Sequence, residues 1–164
     1  MRNVRVQQAA MADYKEDAET LRCGLLAGYT SVPDVVAWAD TVIVREPSPD
    51  PAFIEIALSE KRHPADVIAL LREVRGDVNF VAVRRRLLAR MLEVLQADPN
   101  QGEAIATWLY RLAMDGELPE ADFGWKPCTL DDTFELVRMG VAAHEDAVSE
   151  LREYLAKHAH VAAP

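Results

Sequence analysis

The chain has 164 residues, half of them hydrophobic and 27% charged, with a net charge of −9. That balance describes a folded chain rather than a disordered one, and the length suits a single domain over residues 1–164, which the apolar stripes below make all-helical, with frayed ends expected at 1–12 and 159–164. No apolar run approaches the ~20 residues that a membrane span requires, and the acidic field disfavours nucleic acid and anionic membranes while favouring a basic protein partner.

Met1-Arg2-Asn3-Val4-Arg5-Val6 is basic with no apolar core behind it, so no signal peptide is expected and the expected location is cytoplasmic. A first helix is predicted from about Asp13 to Ala27, carrying Tyr14, Ala18, Leu21, Leu25 and Leu26, with Gly28 as its stop. Ser31 caps a second helix that runs to about Val44. Its Val35, Trp38, Ala39, Val42 and Ile43 fall at i, i+3, i+4, i+7 and i+8, one wide apolar stripe. The breaker-rich turn Arg45-Glu46-Pro47-Ser48-Pro49-Asp50 leads to a short third helix from Pro51, using Phe53, Ile54, Ala57 and Leu58. A fourth helix spans about Pro64 to Val74, with Val67, Ile68, Leu71 and Val74 inward.

The fifth and longest helix is predicted from about Val78 to Ala97, ended by Asp98-Pro99-Asn100. Val78–Val83 is also the one candidate for a strand. The sixth, about Gln101 to Met114, turns Ile105, Trp108, Leu109 and Leu112 inward. The seventh opens near Thr129, with Asp131 and Asp132 in its first turn to complement the helix dipole and Leu130, Phe134, Val137 and Val141 as its stripe. The eighth runs from about His144 to His158 over Val148, Leu151 and Leu155.

Asp34-Val35-Val36-Ala37-Trp38 returns as Asp66-Val67-Ile68-Ala69-Leu70, which suggests repeated helix pairs: one with two, three with four, five with six, seven with eight. The second members begin near positions 31, 64, 101 and 143, at intervals of 33, 37 and 42. A strict solenoid holds its period better, so the expected fold is an irregular bundle or stack of about four αα-hairpins.

Charge is distributed unevenly: residues 1–30 are neutral, 31–60 carry −5, 61–97 carry +4 and 98–164 carry −8. The basic stretch includes Arg84-Arg85-Arg86 and Arg90, but successive residues on a helix turn by ~100° and splay the arginines around it. Arg84 falls inside the stripe of Phe80, Leu87, Leu88 and Met91. A guanidinium taken from water needs a carboxylate, which predicts an ion pair with Asp34, Asp40 or Asp66; the alternative is that its stem lies along the surface with its head in water. His63 reads as a helix-entry residue, and the scattered histidines lack metal-ligand spacing, so no metal and no cofactor are expected. Cys23 and Cys128 read as reduced structural thiols.

The connection from Asp115 to Cys128 holds two prolines, two glycines, four acids and two large aromatics. Phe123 and Trp125, rimmed by Glu117, Glu120 and Asp122, form a candidate docking surface for a basic partner. The plainer reading is that both rings cover a helix end. Asp131, Asp132 and Glu135 are the candidates for an enzymatic polar site, with the surroundings of Arg84 as a second place for one.

Gly24-Leu25-Leu26-Ala27-Gly28-Tyr29, Val35-Val36-Ala37-Trp38-Ala39-Asp40 and Ile54-Glu55-Ile56-Ala57-Leu58-Ser59 together resemble a loose group of small bacterial all-helical proteins. These are mostly uncharacterised, and some are suspected immunity or accessory proteins of secreted toxins. The resemblance implies a cytosolic helper that binds another protein and lends no catalytic residues. The leading expectation is thus a non-enzymatic protein-binding module. A small helical enzyme and a homo-oligomeric structural protein, such as a homodimer, are the alternatives.

Overall fold

The computed structural model describes residues 2–118 and 125–159, with the backbone alone over 2–13. The predicted site residues Glu120, Asp122 and Phe123 lie outside the described residues, as do residue 1 and residues 160–164 of the expected frayed ends. The fold is all-α. Eight α-helices stand among the described residues: α1 Arg2–Ala27, α2 Val32–Arg45, α3 Pro51–Ala57, α4 Pro64–Glu73, α5 Phe80–Ala97, α6 Gly102–Met114, α7 Lys126–Arg138 and α8 His144–Ala159. A 3₁₀ turn at Pro99–Gln101 leads into α6. None of these helices is long and apolar enough to cross a membrane. The expectation of one domain over 1–164 meets a chain that divides into two compact units, residues 1–83 and 84–164, with the division inside α5.

In the first unit the helix starts are written in capping chemistry. Ser31 and Asp34 form a reciprocal capping box at α2, Asp50 accepts from the Ala52 N–H at α3, and His63 Nδ1 accepts from the Ala65 N–H at α4. At the end of α1, Gly28 takes φ 90°, a left-handed turn that glycine adopts without a Cβ clash, and the Tyr29 N–H returns to the Gly24 carbonyl at 2.8 Å. The core joins Val35, Ala39 and Val42 of α2 with Phe53 and Ile56 of α3, Val67 and Leu71 of α4, and Ala18 and Leu25 of α1. Phe53 sits at its centre, met edge-on by Tyr14 at 5.6 Å and by Trp38 at 5.5 Å.

Helix partners in this unit are nested as well as sequential. α3 packs on α4 as expected from the chain order, but α1 packs chiefly on α4, and α2 on α3. The reason is physical: an apolar stripe says which face turns inward, not which neighbour covers it. Lys15 Nζ donates to the Arg72 carbonyl in the last turn of α4, which pins α1 to it. The strand candidate at Val78–Val83 is overturned. Phe80 to Val83 are the first turn of α5, with the Asn79 side chain accepting from the Ala82 N–H at its start.

In the second unit α6, α7 and α8 pack on one another. α5 buries Leu87, Leu88, Met91 and Leu95, while Phe80, placed in that stripe by its spacing, is 48% exposed. α6 buries Ile105, Ala106, Leu109 and Leu112; α7 buries Leu130 and Phe134; α8 buries Ala147, Val148, Leu151, Tyr154 and Leu155. α7 begins at Lys126, three residues before the expected Thr129, because proline at position 127 suits the first turn of a helix. Thr129 is already inside that turn, its hydroxyl donating to the Lys126 carbonyl.

Candidate functional site

α6 and α7 run antiparallel, and two contacts fix their register. The Thr107 hydroxyl donates to Asp131 Oδ1 at 2.8 Å, and Arg138 Nε meets Glu103 Oε1 at 3.2 Å. At a rise of ~1.5 Å per residue, Met114 stands about 10 Å beyond Thr107 and Trp125 about 9 Å beyond Asp131, in the same direction. The end of α6 and the entry of α7 therefore share one end of this hairpin.

Among the described residues, three large side chains there are exposed. Trp125 is 77% exposed, Met114 54% and Tyr110 37%. Trp125 thus does not fold back to cover a helix end. Its own backbone sits at φ −87°, ψ 7°, and its side chain supplies no capping hydrogen bond to α7. Tyr110 and Met114 are one turn apart on α6, off the buried stripe of Ile105, Leu109 and Leu112.

The platform beneath Trp125 is well held. Lys126 forms an ion pair with Glu150 of α8, Pro127 is buried, and Asp131 is tied to α6 through Thr107. Next to this pair a groove of about 370 Å³ opens, lined by Lys126, Glu150, Glu153, Tyr154, Lys157 and His158. Burial pushes the Tyr154 hydroxyl well above the ordinary tyrosine range, and its ring lies against His158 with centroids 4.7 Å apart.

Glu117, predicted as part of the acidic rim, is half-buried, three residues beyond Met114. The left-handed Gly116 turn at φ 71° lets the Glu117 N–H return to the Leu112 carbonyl at 2.9 Å. Glu117 also offers its backbone carbonyl to Arg84 Nε. Arg84 is half-buried, so this oxygen is a built-in acceptor for its guanidinium. Asp34, Asp40 and Asp66, the carboxylates expected for Arg84, are all exposed residues of the first unit. Asp34 accepts from both the Ser31 N–H and hydroxyl, and these bonds hold its carboxyl below the usual range.

Two of the three acidic candidates on α7, Asp131 and Glu135, are brought into side-chain contacts, and Asp132 is exposed. With α7 starting at Lys126, Asp131 and Asp132 fall beyond its first turn, so the expected complement to the helix dipole is replaced by the Thr107 contact. Glu135 meets Arg138, which also reaches Glu103. Among the described residues, no group of three or more His, Cys, Asp or Glu is placed to hold a metal.

Spacing alone pointed to Trp125 but passed over Tyr110 and Met114. Their signal was present: two large side chains four residues apart, on the face of the sixth helix opposite its inward stripe. No family model, curated protein or solved structure matches the chain.

Proposed function

We propose that this protein is a non-enzymatic protein-binding module that docks a basic partner at the loop end of the α6–α7 hairpin. One observation carries the reading: Trp125 is 77% exposed on a helix entry that is itself pinned. Tryptophan, tyrosine and methionine are the side chains that interfaces favour, and an anchored ring gives contact area at low entropic cost. Trp125 supplies the centre and Met114 and Tyr110 its flank. Asp115 and Glu117 follow Met114, and Glu150 and Glu153 line the groove beside Lys126, in a segment, 98–164, that carries −8. Such a field steers a basic partner and makes the encounter salt-dependent. An immunity or accessory protein of a secreted toxin, acting in the bacterial cytoplasm, is the form of this role that the resemblance implies.

The test is calorimetric titration against purified proteins encoded beside this chain's gene, first with the parent and then with Trp125→Ala. Truncating a central anchor removes about 2–4 kcal/mol of binding, so the variant binds at least ~30-fold more weakly. Its folding changes little, because most of the ring is already in water. A Trp125→Ala protein that keeps full affinity refutes the docking surface.

A further inference from the structure

We propose that the Lys126–Glu150 ion pair is a salt-sensitive latch that orients Trp125, an inference that rests on the docking reading above. The Trp125 carbonyl accepts from the Thr129 N–H at 3.1 Å, which holds its backbone to α7, while its side chain makes no capping bond. Two further ties lie beside it: Pro127 is buried, and Lys126, the residue adjoining Trp125, is tied to Glu150 on α8. Buried Pro127 anchors the helix body. Lys126 adjoins Trp125, and its ion pair ties this helix entry to α8.

The two tethers differ in kind. Pro127 acts through apolar burial and is indifferent to ions. Lys126 and Glu150 are each 42% exposed, so their attraction is weakened by added salt. Presentation of the ring therefore depends on ionic strength independently of any partner's charge. Lys126 and Glu150 are positioning residues here, acting through Trp125.

The experiment follows the indole N–H of Trp125 by ¹⁵N NMR in the full chain, its signal assigned by its loss in Trp125→Phe. Lys126→Gln and Glu150→Gln should each shift that signal and raise its fast mobility, with the urea midpoint near that of the parent. The exchanged pair, Lys126→Glu with Glu150→Lys, should return the indole toward its parental order. Raising sodium chloride should loosen the indole of the parent and leave that of the single variants unchanged. Toward a partner that the parent binds, each single variant should lose about two- to fivefold in affinity, the scale of an exposed ion pair. An indole equally ordered in parent and single variants overturns the latch, as does an exchanged pair that restores nothing. Full affinity of Trp125→Ala overturns docking instead, while the indole signal still decides the latch.

Discussion

Gly102 opens α6 at φ −54°, ψ −47°, an ordinary right-handed helical conformation. The backbone does not need glycine there, and on backbone grounds Gly102→Ala should stabilise by about 0.4–1 kcal/mol. Space argues the other way. A Cβ at residue 102 would stand 2.7 Å from Phe134 Cζ, 2.9 Å from Cε1 and 3.3 Å from Val148 Cγ2. Ordinary carbon contacts lie at ~3.5–4.0 Å. Phe134 is 2% exposed and Val148 4%, so neither can swing into solvent. Overpacking of this kind costs about 1–3 kcal/mol. The clash exceeds the backbone gain, and the expected net loss is about 0.5–2 kcal/mol, read as a lower urea midpoint by circular dichroism. Phe134→Leu removes the ring atoms that clash. In that background Gly102→Ala should be neutral or stabilising, which gives a coupling energy of about 1 kcal/mol or more between the two sites. A Gly102→Ala protein with a raised midpoint and unchanged slope would falsify the packing argument.

Two further predictions concern the first unit. Ser31→Ala removes half of the capping box and should cost about 1 kcal/mol at neutral pH. The Ser31 bonds lower the Asp34 carboxyl from its ordinary 3.8, so their stabilisation is present above that value and lost as pH falls through the lowered one. The parent should therefore lose more stability on acidification than Ser31→Ala does; equal acid limbs in urea titrations would count against the cap. The Tyr14 hydroxyl donates to Glu46 Oε1 at 2.7 Å, a bond that raises its pKa above 10.0, with burial adding to it. The protonated phenol is the form that stabilises, so its contribution is full below pH 10.0 and disappears as pH rises through the raised value. Tyr14→Phe keeps the edge contact on Phe53 and should cost about 0.5–1.5 kcal/mol at neutral pH. The difference from the parent should vanish in strong alkali; its persistence there would remove the hydrogen bond as the cause.

Helix identity was legible because the stripes and breakers agree. Pro51 and Pro64 open α3 and α4, and Gly28 ends α1 through its left-handed turn. What failed was information that a single segment does not carry. Val78–Val83 is rich in the β-branched and aromatic side chains that strands favour, yet Asn79 caps a helix there and the remaining fourteen residues of α5 continue it. The partner of Arg84 was sought among carboxylates because a half-buried cation needs an acceptor. The Glu117 carbonyl, just past the Gly116 turn, is one acceptor for that guanidinium, and no composition rule points to one particular carbonyl.

The candidate site was legible for a different reason from the one first given. The acidic rim and the second aromatic drew notice to the 115–128 connection, but an acidic loop is ordinary surface on a chain of net charge −9. The exposure of Trp125 carries more weight, because it is a local inconsistency with the rest of the fold. A tryptophan buries about 150–250 Å² when it packs, and this one leaves 77% of itself in water at a helix start where a small polar residue would cap. Its contribution to folding is therefore small, whereas its contribution to a complex could reach about 3–5 kcal/mol at ~25 cal/mol per Å² before ordering costs. A side chain that adds so little to the free protein, on a base held by an ion pair and a buried proline, is what supports the proposed docking surface. Met114 and Tyr110 share its end of the hairpin, which makes the surface broader than a single ring.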